Sequence, residues 1–351
     1  MVNSTIEMVN ERPFQRSWID RFNNRVKNLP VAPWVFFSIF GFVLILIQIL
    51  ILWLEDGVQE VDLLPVIVFN GLFTPFLLGL IYLLDHQAVD ALNSMRSIID
   101  TTEYELKWYQ YILSNMPAGI ALAAGLTMMI FAIILEQLGG TPIRYEALGQ
   151  LPIFTVIFQM IDKSSAFLFG VFVYHTIRQL RLVNTINVNL IRINLFNLRP
   201  AQAFSNLTAT TAVGLVVGVY VWLLINPELL ANPVIFGFLM MTTALAISVF
   251  VLPLYGIHRL MEAAKDRMLH EIDLRSEAVF LKFNEGLRDD EYSEIDRLNG
   301  TIASLEIQYN RIKAIPTWPW KPETAQFALT AIALPLVLAA LRFLVERAFG
   351  W

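Results

Sequence analysis

Residues 315–324, which read IPTWPWKPET, join a long charged segment to the last apolar stretch of the chain. The three prolines forbid a continuous helix and favour extended conformations in the residues before them, so the chain must change direction here. The two tryptophans beside Lys321 suit the headgroup layer of a bilayer, where amphipathic rings and a cation are both stable. We predict a rigid joint between a water-exposed arm and a membrane span, made by Pro316, Trp318, Pro319, Trp320 and Pro322.

The arm before this joint is predicted to be a helical hairpin over residues 258–315. Apolar residues in its second half are spaced alternately three and four apart, which is a heptad seam that needs a partner helix. The seam residues are Ile295, Leu298, Ile302, Leu305, Tyr309 and Ile312. The run from His258 to Phe283 offers an apolar stripe to this seam if the chain folds back through the polar turn NEGLRDDEYS. We interpret the arm as an antiparallel, coiled-coil-like cytoplasmic hairpin.

Composition places the chain in a membrane. It is 56% hydrophobic and 16% charged, which is more apolar sequence than one soluble core can bury. The chain contains no cysteine, so disulfides and thiolate metal sites are excluded. Its net charge of −5, without a basic run, argues against nucleic acid as a partner. We expect a lipid bilayer around the chain, with no metal site and no cofactor.

Seven apolar stretches are long enough to span a bilayer, at about 31–54, 63–84, 116–135, 151–177, 204–225, 232–257 and 325–345. They predict an all-α, polytopic integral membrane bundle of seven helices, with a cytoplasmic domain built from helix extensions. The predicted parts are a segment at 1–30, a six-helix region at 31–257, the hairpin, and the joint with the seventh helix at 316–351. Helical cytoplasmic loops are expected at 85–115 and 178–203, with the fourth helix continuing to Leu198.

The orientation follows from the distribution of Lys and Arg between the spans. These residues number 5, 2, 4 and 10 in the segments on one side and 0, 1, 0 and 2 in the segments on the other. The positive-inside rule therefore places the N-terminus in the cytoplasm and Trp351 outside. Residues 1–30 are polar, and the apolar run after them is long enough to span and lacks a small-residue cleavage pattern, so we expect that run to stay attached as the first span. The predicted location is the inner, or plasma, membrane.

Two charged residues, Asp162 and Lys163, lie in the outer half of the fourth span. Charges at such depth are costly and often mark the path of an ion or substrate. Neighbours on a helix point about 100° apart, so we expect these two side chains not to pair with each other. Two interpretations stay open: a wet outer vestibule, which is favoured, or a functional polar site.

The fifth span combines small and polar residues. Gly214 and Gly218, with Thr210 before them, form a small-residue face that lets another helix approach closely. Asn206 and Thr211 add polar groups in the cytoplasmic half. Helix packing is the favoured interpretation, and a pore or ligand wall is the alternative. The second span offers Asn70, Thr74 and Pro75 to the same two interpretations.

The histidines give little support to a metal site or a pH sensor, and the absence of catalytic motifs argues against an enzyme. His86, His175 and His258 fall at the cytoplasmic ends of three spans, but no metal-ligand spacing accompanies them, so a structural role is favoured over a metal or pH-sensing ring. The sequence has no phosphate-binding glycine loop, GxSxG, HExxH or paired-aspartate pattern. We do not expect an enzyme.

Two resemblances add expectations. IPTWPWKPET and the span after it resemble the C-terminus of bacterial multipass membrane proteins of uncharacterised function. The layout resembles the insect chemoreceptor-type seven-transmembrane ion channels in its inside N-terminus, outside C-terminus and cytoplasmic anchor of helix extensions. That resemblance implies a homo-oligomer, a tetramer, held by the anchor with its last span lining the pore. The tyrosine-bearing signature of that family's last span is absent, and Gln326 and Thr330 are the polar groups in its place.

Three functions are therefore carried forward. The first is an oligomeric ion channel or pore with a cytoplasmic anchor. The second is a scaffold or sensor whose hairpin binds a cytoplasmic protein. The third is a solute transporter that uses Asp162, Lys163 and the polar groups of the fifth span.

Overall fold

The described part of the computed structural model is all-helical. It covers residues 13–55, 63–96, 99, 101–139, 151–190, 195–198, 202–227, 229, 232–288 and 292–349. These residues form ten helices: α1 (Trp18–Lys27), α2 (Pro33–Leu54), α3 (Leu64–Ser94), α4 (Glu103–Ser114), α5 (Ala118–Gly139), α6 (Pro152–Leu190), α7 (Ser205–Ile225), α8 (Pro233–Arg288), α9 (Tyr292–Lys313) and α10 (Pro322–Phe349). No β-strand occurs within these ranges, so the all-α prediction is confirmed.

The helices begin where the sequence gives a start signal. Four of them, α2, α6, α8 and α10, open on a proline, whose fixed φ fits the first turn and whose missing N–H has no partner there anyway. The two short helices α1 and α4 begin with capping boxes. Ser17 and Asp20 exchange hydrogen bonds in α1, and Thr102 and Glu105 do so in α4.

Six helices are long and apolar enough to cross a membrane. They are Pro33–Leu54, Leu64–Ser94, Ala118–Leu138, Pro152–Ile186, Ser205–Ile225 and Pro233–Glu285. This number is compatible with the predicted multipass membrane protein. The predicted seventh span lies within α10, where side chains beyond Val337 are outside the described residues, so that span stays a prediction.

The bundle is organised around α3 and α6, which pack against each other. Helix α2 lies against α3, α5 lies against α6, and α8 packs against both α6 and α7. Helix α10 packs mainly on α7 and α8 and so lies at the edge of the bundle. Large apolar side chains such as Leu50 and Trp53 point outwards from α2, as expected for a helix facing lipid.

One helix boundary was predicted wrongly. Helix α6 was expected to continue to Leu198, but it ends at Leu190, and Leu195 and Phe196 lie in a turn. Leu195 is buried in the main core, so the chain lies against the bundle at this residue. Asparagines are frequent in this region, and Pro200 follows it; both residue types favour the end of a helix over its continuation.

The hairpin exists as two packed helices. The first arm is part of α8, which runs without a break from Pro233 to Arg288, and α9 packs back along it. From α9, Leu298, Leu305 and Ile312 are buried, while Ile302 and Tyr309 are half-buried. Ile272 of α8 packs in the same cluster as Leu305 and Ile312. The side chain of Ile295 lies outside the described residues, and the cytoplasmic location of the hairpin stays a prediction.

The close approach of α6 to α5 at Gly170 predicts a clear loss of stability on mutation. A Cβ atom on Gly170 of α6 would collide with the Met128 Cβ atom and lie 2.5 Å from the Ala124 carbonyl oxygen, both on α5. Backbone cannot yield as a flexible side chain can, so Gly170→Ala should lower the free energy of unfolding by about 1–3 kcal/mol. The control is Gly237→Ala, because a Cβ atom there meets nothing within 4 Å. Thermal unfolding in detergent measures both, and equal midpoints would contradict the close approach.

Candidate functional site

A cavity of about 160 Å³ lies inside the bundle between α3, α5, α6, α7 and α8. We call it the outer cavity, because the predicted topology places it in the outer half of the membrane. Most of its wall is apolar and aromatic, and includes Phe69, Phe73, Met128, Phe169, Trp222 and Phe238. One part of the wall is charged and consists of Glu136, Asp162 and Lys163. An apolar wall with a few convergent polar groups is typical of small-molecule sites, although the volume is below their usual range of roughly 300–1,000 Å³ and suits only a small ligand.

The three charged side chains form one ion cluster. Lys163 Nζ donates to Glu136 Oε2 at 2.7 Å and to Asp162 Oδ2 at 2.8 Å. All three are partly buried. The expectation that Asp162 and Lys163 do not pair was wrong. The long lysine side chain reaches both the Asp162 carboxylate beside it and Glu136 on the preceding helix, α5. The cluster carries two carboxylates for one ammonium, so it can accept a further positive charge.

Sequence reasoning missed Glu136. It lies near the end of α5, 27 residues from Lys163, in a position that looked like the polar edge of a span. Its charge at the end of an apolar helix was the available signal. The contact itself depends on the packing of α5 on α6 through Gly170, which no short-range pattern shows.

Most other polar groups inside the bundle are already paired. Asn70 donates to Gln48 Oε1 and to the Phe158 carbonyl oxygen, each at 3.2 Å, and Thr74 Oγ1 lies 2.7 Å from Ser165 Oγ. These bonds join neighbouring spans, so they favour a packing role over a pore wall.

The polar and small residues of α7 differ in burial and in the helices that they contact. Thr211 is buried and donates to the Leu207 carbonyl oxygen at 2.7 Å, Thr210 is half-buried, and Asn206 is exposed and accepts from Thr324 at 3.2 Å. Gly214 and Gly218 face α3, where added Cβ atoms would collide with the Leu80 and Phe73 side chains. Gly218 also lines the outer cavity.

Tyr220 connects three helices next to that cavity. Its hydroxyl lies 3.0 Å from Thr243 Oγ1 of α8 and donates to the Ile332 carbonyl oxygen of α10 at 3.1 Å. The residue before it, Val219, lines the outer cavity. One turn of α7 therefore contacts both the cavity and α10.

The Trp-Pro joint is held by a stack of four rings. Phe250 of α8 stacks on Trp320 at 4.7 Å, Trp320 on Trp318 at 4.4 Å, and Trp318 on His258 of α8 at 3.9 Å. His258 Nδ1 also lies 3.2 Å from the Thr317 carbonyl oxygen. The joint is thus fastened at both ends to one helix.

The rest of the joint lies between the C-terminal end of α9 and the start of α10. Pro319 is buried, whereas Pro316 and Pro322 are exposed, and Pro322 begins α10. Lys265 Nζ donates to the carbonyl oxygens of Lys313 at 2.6 Å and Ile315 at 2.9 Å, which satisfies the C-terminal end of α9.

The three histidines occupy separate surroundings. His175 is fully buried and its Nε2 lies 2.9 Å from Asp85 Oδ1, whereas His86 is exposed and lies 3.5 Å from Asp90. His258 belongs to the joint. Among the described residues no group of three His, Cys, Asp or Glu side chains is arranged to hold a metal ion.

A second cavity, of about 410 Å³, lies between α1, α3 and α4 at the opposite end of the bundle from the outer cavity. We call it the inner pocket. Asp20, Asn23 and Asp85 line it, together with the basic residues Arg16, Lys27 and Lys107. Burial raises the pKa of the Asp20 carboxyl, and hydrogen bonds from Met116 and Ser17 oppose that rise. Sequence reasoning missed this pocket, because Asp20 reads as an ordinary helix-capping residue.

Comparisons of the chain with protein-family models, with curated proteins and with solved structures find no match. A function can therefore be proposed only from the geometry described above.

Proposed function

We propose that the protein is a membrane channel assembled from several copies of this chain, with α10 lining the pore. The observation that carries the proposal is an inverted pattern of exposure. On α10, Gln326 and Thr330 are exposed in a helix predicted to face lipid, whereas Leu281 and Ile307 are 60% and 55% exposed on a hairpin predicted to lie in water. Polar groups toward lipid and large apolar groups toward water are both unfavourable, and further copies of the chain would cover both.

A ligand bound in the outer cavity would control the position of α10, and so the opening of the pore. A small amphipathic ligand would place its apolar part against the aromatic wall and a positive group near the Glu136 and Asp162 carboxylates. Such a ligand touches α7, and Tyr220 links α7 to α10. If the ligand fits one position of α7 better than another, it shifts α10 by that difference in affinity.

The oligomer is the first feature to test. Mass photometry of the detergent-solubilised protein should give a multiple of the 40.0 kDa chain, and four copies is the number that the resemblance to the insect channels implies. Liposomes that contain the protein should conduct ions. A particle of one chain without ion flux would overturn the proposal, and if a cytoplasmic protein co-purified through the hairpin, the scaffold would replace it.

The absence of natural cysteine allows a direct test of the pore. In a Thr330→Cys variant, a water-soluble charged thiol reagent should reduce ion flux about tenfold or more, because it adds a charge to the pore wall. The matched control is Leu329→Cys, which is exposed on the same helix but points about 100° away and would face lipid. Equal inhibition of both variants, or of neither, would contradict a pore along the Gln326 and Thr330 face.

A solute transporter is the second candidate, and the ion cluster favours it. Paired charges beside a cavity inside a membrane are typical of substrate and ion paths. Under this alternative, Asp162→Asn lowers the uptake of a specific solute while the thiol reagent leaves Thr330→Cys unaffected. The two experiments together separate a carrier from a channel.

A further inference from the structure

We propose that the inner pocket binds a zwitterion that carries a primary ammonium group and a phosphate joined by a short linker, as in phosphoethanolamine. The inference is independent of the proposed channel, because it depends on α1, α3 and α4 and not on α10. It starts from polar atoms that the fold leaves without partners.

The floor of the pocket calls for a hydrogen-bonding cation. Asp20 is 2% exposed; its Oδ2 accepts the N–H groups of Ser17 and Met116, each at 2.9 Å, while its Oδ1 has no hydrogen-bond partner in the described part of the chain. Asn23 is 5% exposed, and neither its Oδ1 nor its Nδ2 has a partner there either. Two unsatisfied acceptor oxygens on neighbouring turns fit the N–H groups of an ammonium ion.

The charged residues near Asp20 leave room for a cation beside its carboxylate. Asp85, which also lines the pocket, already lies 2.9 Å from His175 Nε2. Arg178 donates to the Asn115 carbonyl oxygen at 2.6 Å and lies over the Phe14 ring. Among the side chains that the structure describes, none lies at ion-pair distance from Asp20. His175 and Arg178 attract its carboxylate from farther away, and burial still raises its pKa. A buried carboxylate without a paired cation is unfavourable, and a bound ammonium group would relieve it.

The rest of the pocket calls for an anion. Arg16, Lys27 and Lys107 line it, and within the described ranges no carboxylate lies at ion-pair distance from any of the three. The Arg16 guanidinium lies over the Tyr111 ring at 5.2 Å, which orients it without neutralising it. Three cations fit a phosphate better than a carboxylate, because a phosphate carries more charge and more acceptor oxygens.

Charge of both signs selects a zwitterion over simpler ligands. A plain anion would meet Asp20 at the floor, and a plain cation would meet the three basic side chains. The volume of about 410 Å³ falls in the usual range of roughly 300–1,000 Å³ for small-molecule sites. The ligand can be a free phosphoethanolamine or a lipid headgroup. Trp18 and Trp108 are exposed on α1 and α4, two of the helices that line the pocket, as is common for tryptophan at headgroup depth.

The test measures binding to the full-length protein in maltoside micelles. Calorimetric titrations use free O-phosphoethanolamine, dihexanoyl phosphatidylethanolamine, and dihexanoyl phosphatidylglycerol, which lacks the ammonium group. We expect at least one ethanolamine compound to bind about tenfold or more tightly than the glycerol lipid, because only its ammonium group can donate to the free oxygens of Asp20 and Asn23. Binding of the lipid alone identifies a headgroup site, and binding of both compounds identifies a site open to water.

Two variants locate the site, each with its own control. Asn23→Leu should weaken binding about tenfold without lowering the thermal midpoint, because the lost amide makes no hydrogen bond in the free protein. Lys107→Gln should weaken binding severalfold, while Lys282→Gln, an exposed lysine on α8, leaves it unchanged. The proposal is overturned if neither ethanolamine compound binds, if the glycerol lipid binds equally well, or if both pocket variants bind like the wild type.

Discussion

Lys163→Met should lower the free energy of unfolding by roughly 2–3 kcal/mol, somewhat less than the 3–5 kcal/mol typical of a fully buried pair, because all three groups keep some exposure. The substitution leaves the carboxylates of Glu136 and Asp162 facing each other inside the bundle without a cation. Chemical or thermal unfolding in detergent at neutral pH measures the loss. The loss should shrink as the pH falls, because protonation removes the repulsion between the carboxylates.

Two matched variants show whether charge is the cause. The triple variant Glu136→Gln, Asp162→Asn and Lys163→Met removes all three charges and should recover most of the lost stability. Glu136→Gln alone should cost less than Lys163→Met, because Asp162 keeps its ammonium partner at 2.8 Å. If Lys163→Met were as stable as the wild type at neutral pH, the cluster would lie in a water-filled vestibule with no need of pairing.

Trp318→Ala should have the second large effect, a loss of roughly 2–4 kcal/mol. Trp318 is the middle of the ring stack, with Trp320 on one face at 4.4 Å and His258 on the other at 3.9 Å. Its removal breaks the stack between His258 and Trp320 and so weakens the attachment of the joint, and of the adjoining end of α9, to α8. Hydrogen exchange should therefore speed up about tenfold or more at residues 309–318, since each 1.4 kcal/mol is a factor of ten.

The control for the joint is Trp34→Ala. Trp34 lies near the start of α2 and is 72% exposed, so its removal takes few contacts from the protein. We expect its exchange rates and unfolding midpoint to stay close to those of the wild type. Similar losses for both variants would show that the stack adds nothing beyond the general contribution of a tryptophan at a membrane surface.

Features set by local sequence were predictable. The alternate three and four spacing of the apolar residues from Leu298 to Ile312 showed which face of α9 packs on α8, because a helix repeats every 3.6 residues whatever surrounds it. Length and apolar content likewise located the six described spans. The prolines of residues 315–324 marked the break between α9 and α10 for a stereochemical reason that needs no neighbour.

Features set by distant contacts were not predictable. Glu136 meets Lys163, and His175 meets Asp85, only because whole helices pack in a particular register. Asp20 looked like a cap, and its bond to the Met116 N–H, 96 residues away, appears only in the folded chain.

The unbroken course of α8 gives the molecule a mechanical lever. Ile235 and Phe238 of this helix line the outer cavity, and the same helix carries the first arm of the hairpin. From residue 258 to its end at Arg288 the helix extends roughly 45 Å at 1.5 Å per residue. A tilt of about 5° at residue 258 would therefore move the far tip by about 4 Å, so a small movement of the membrane part of α8 becomes a larger displacement at the tip of the hairpin.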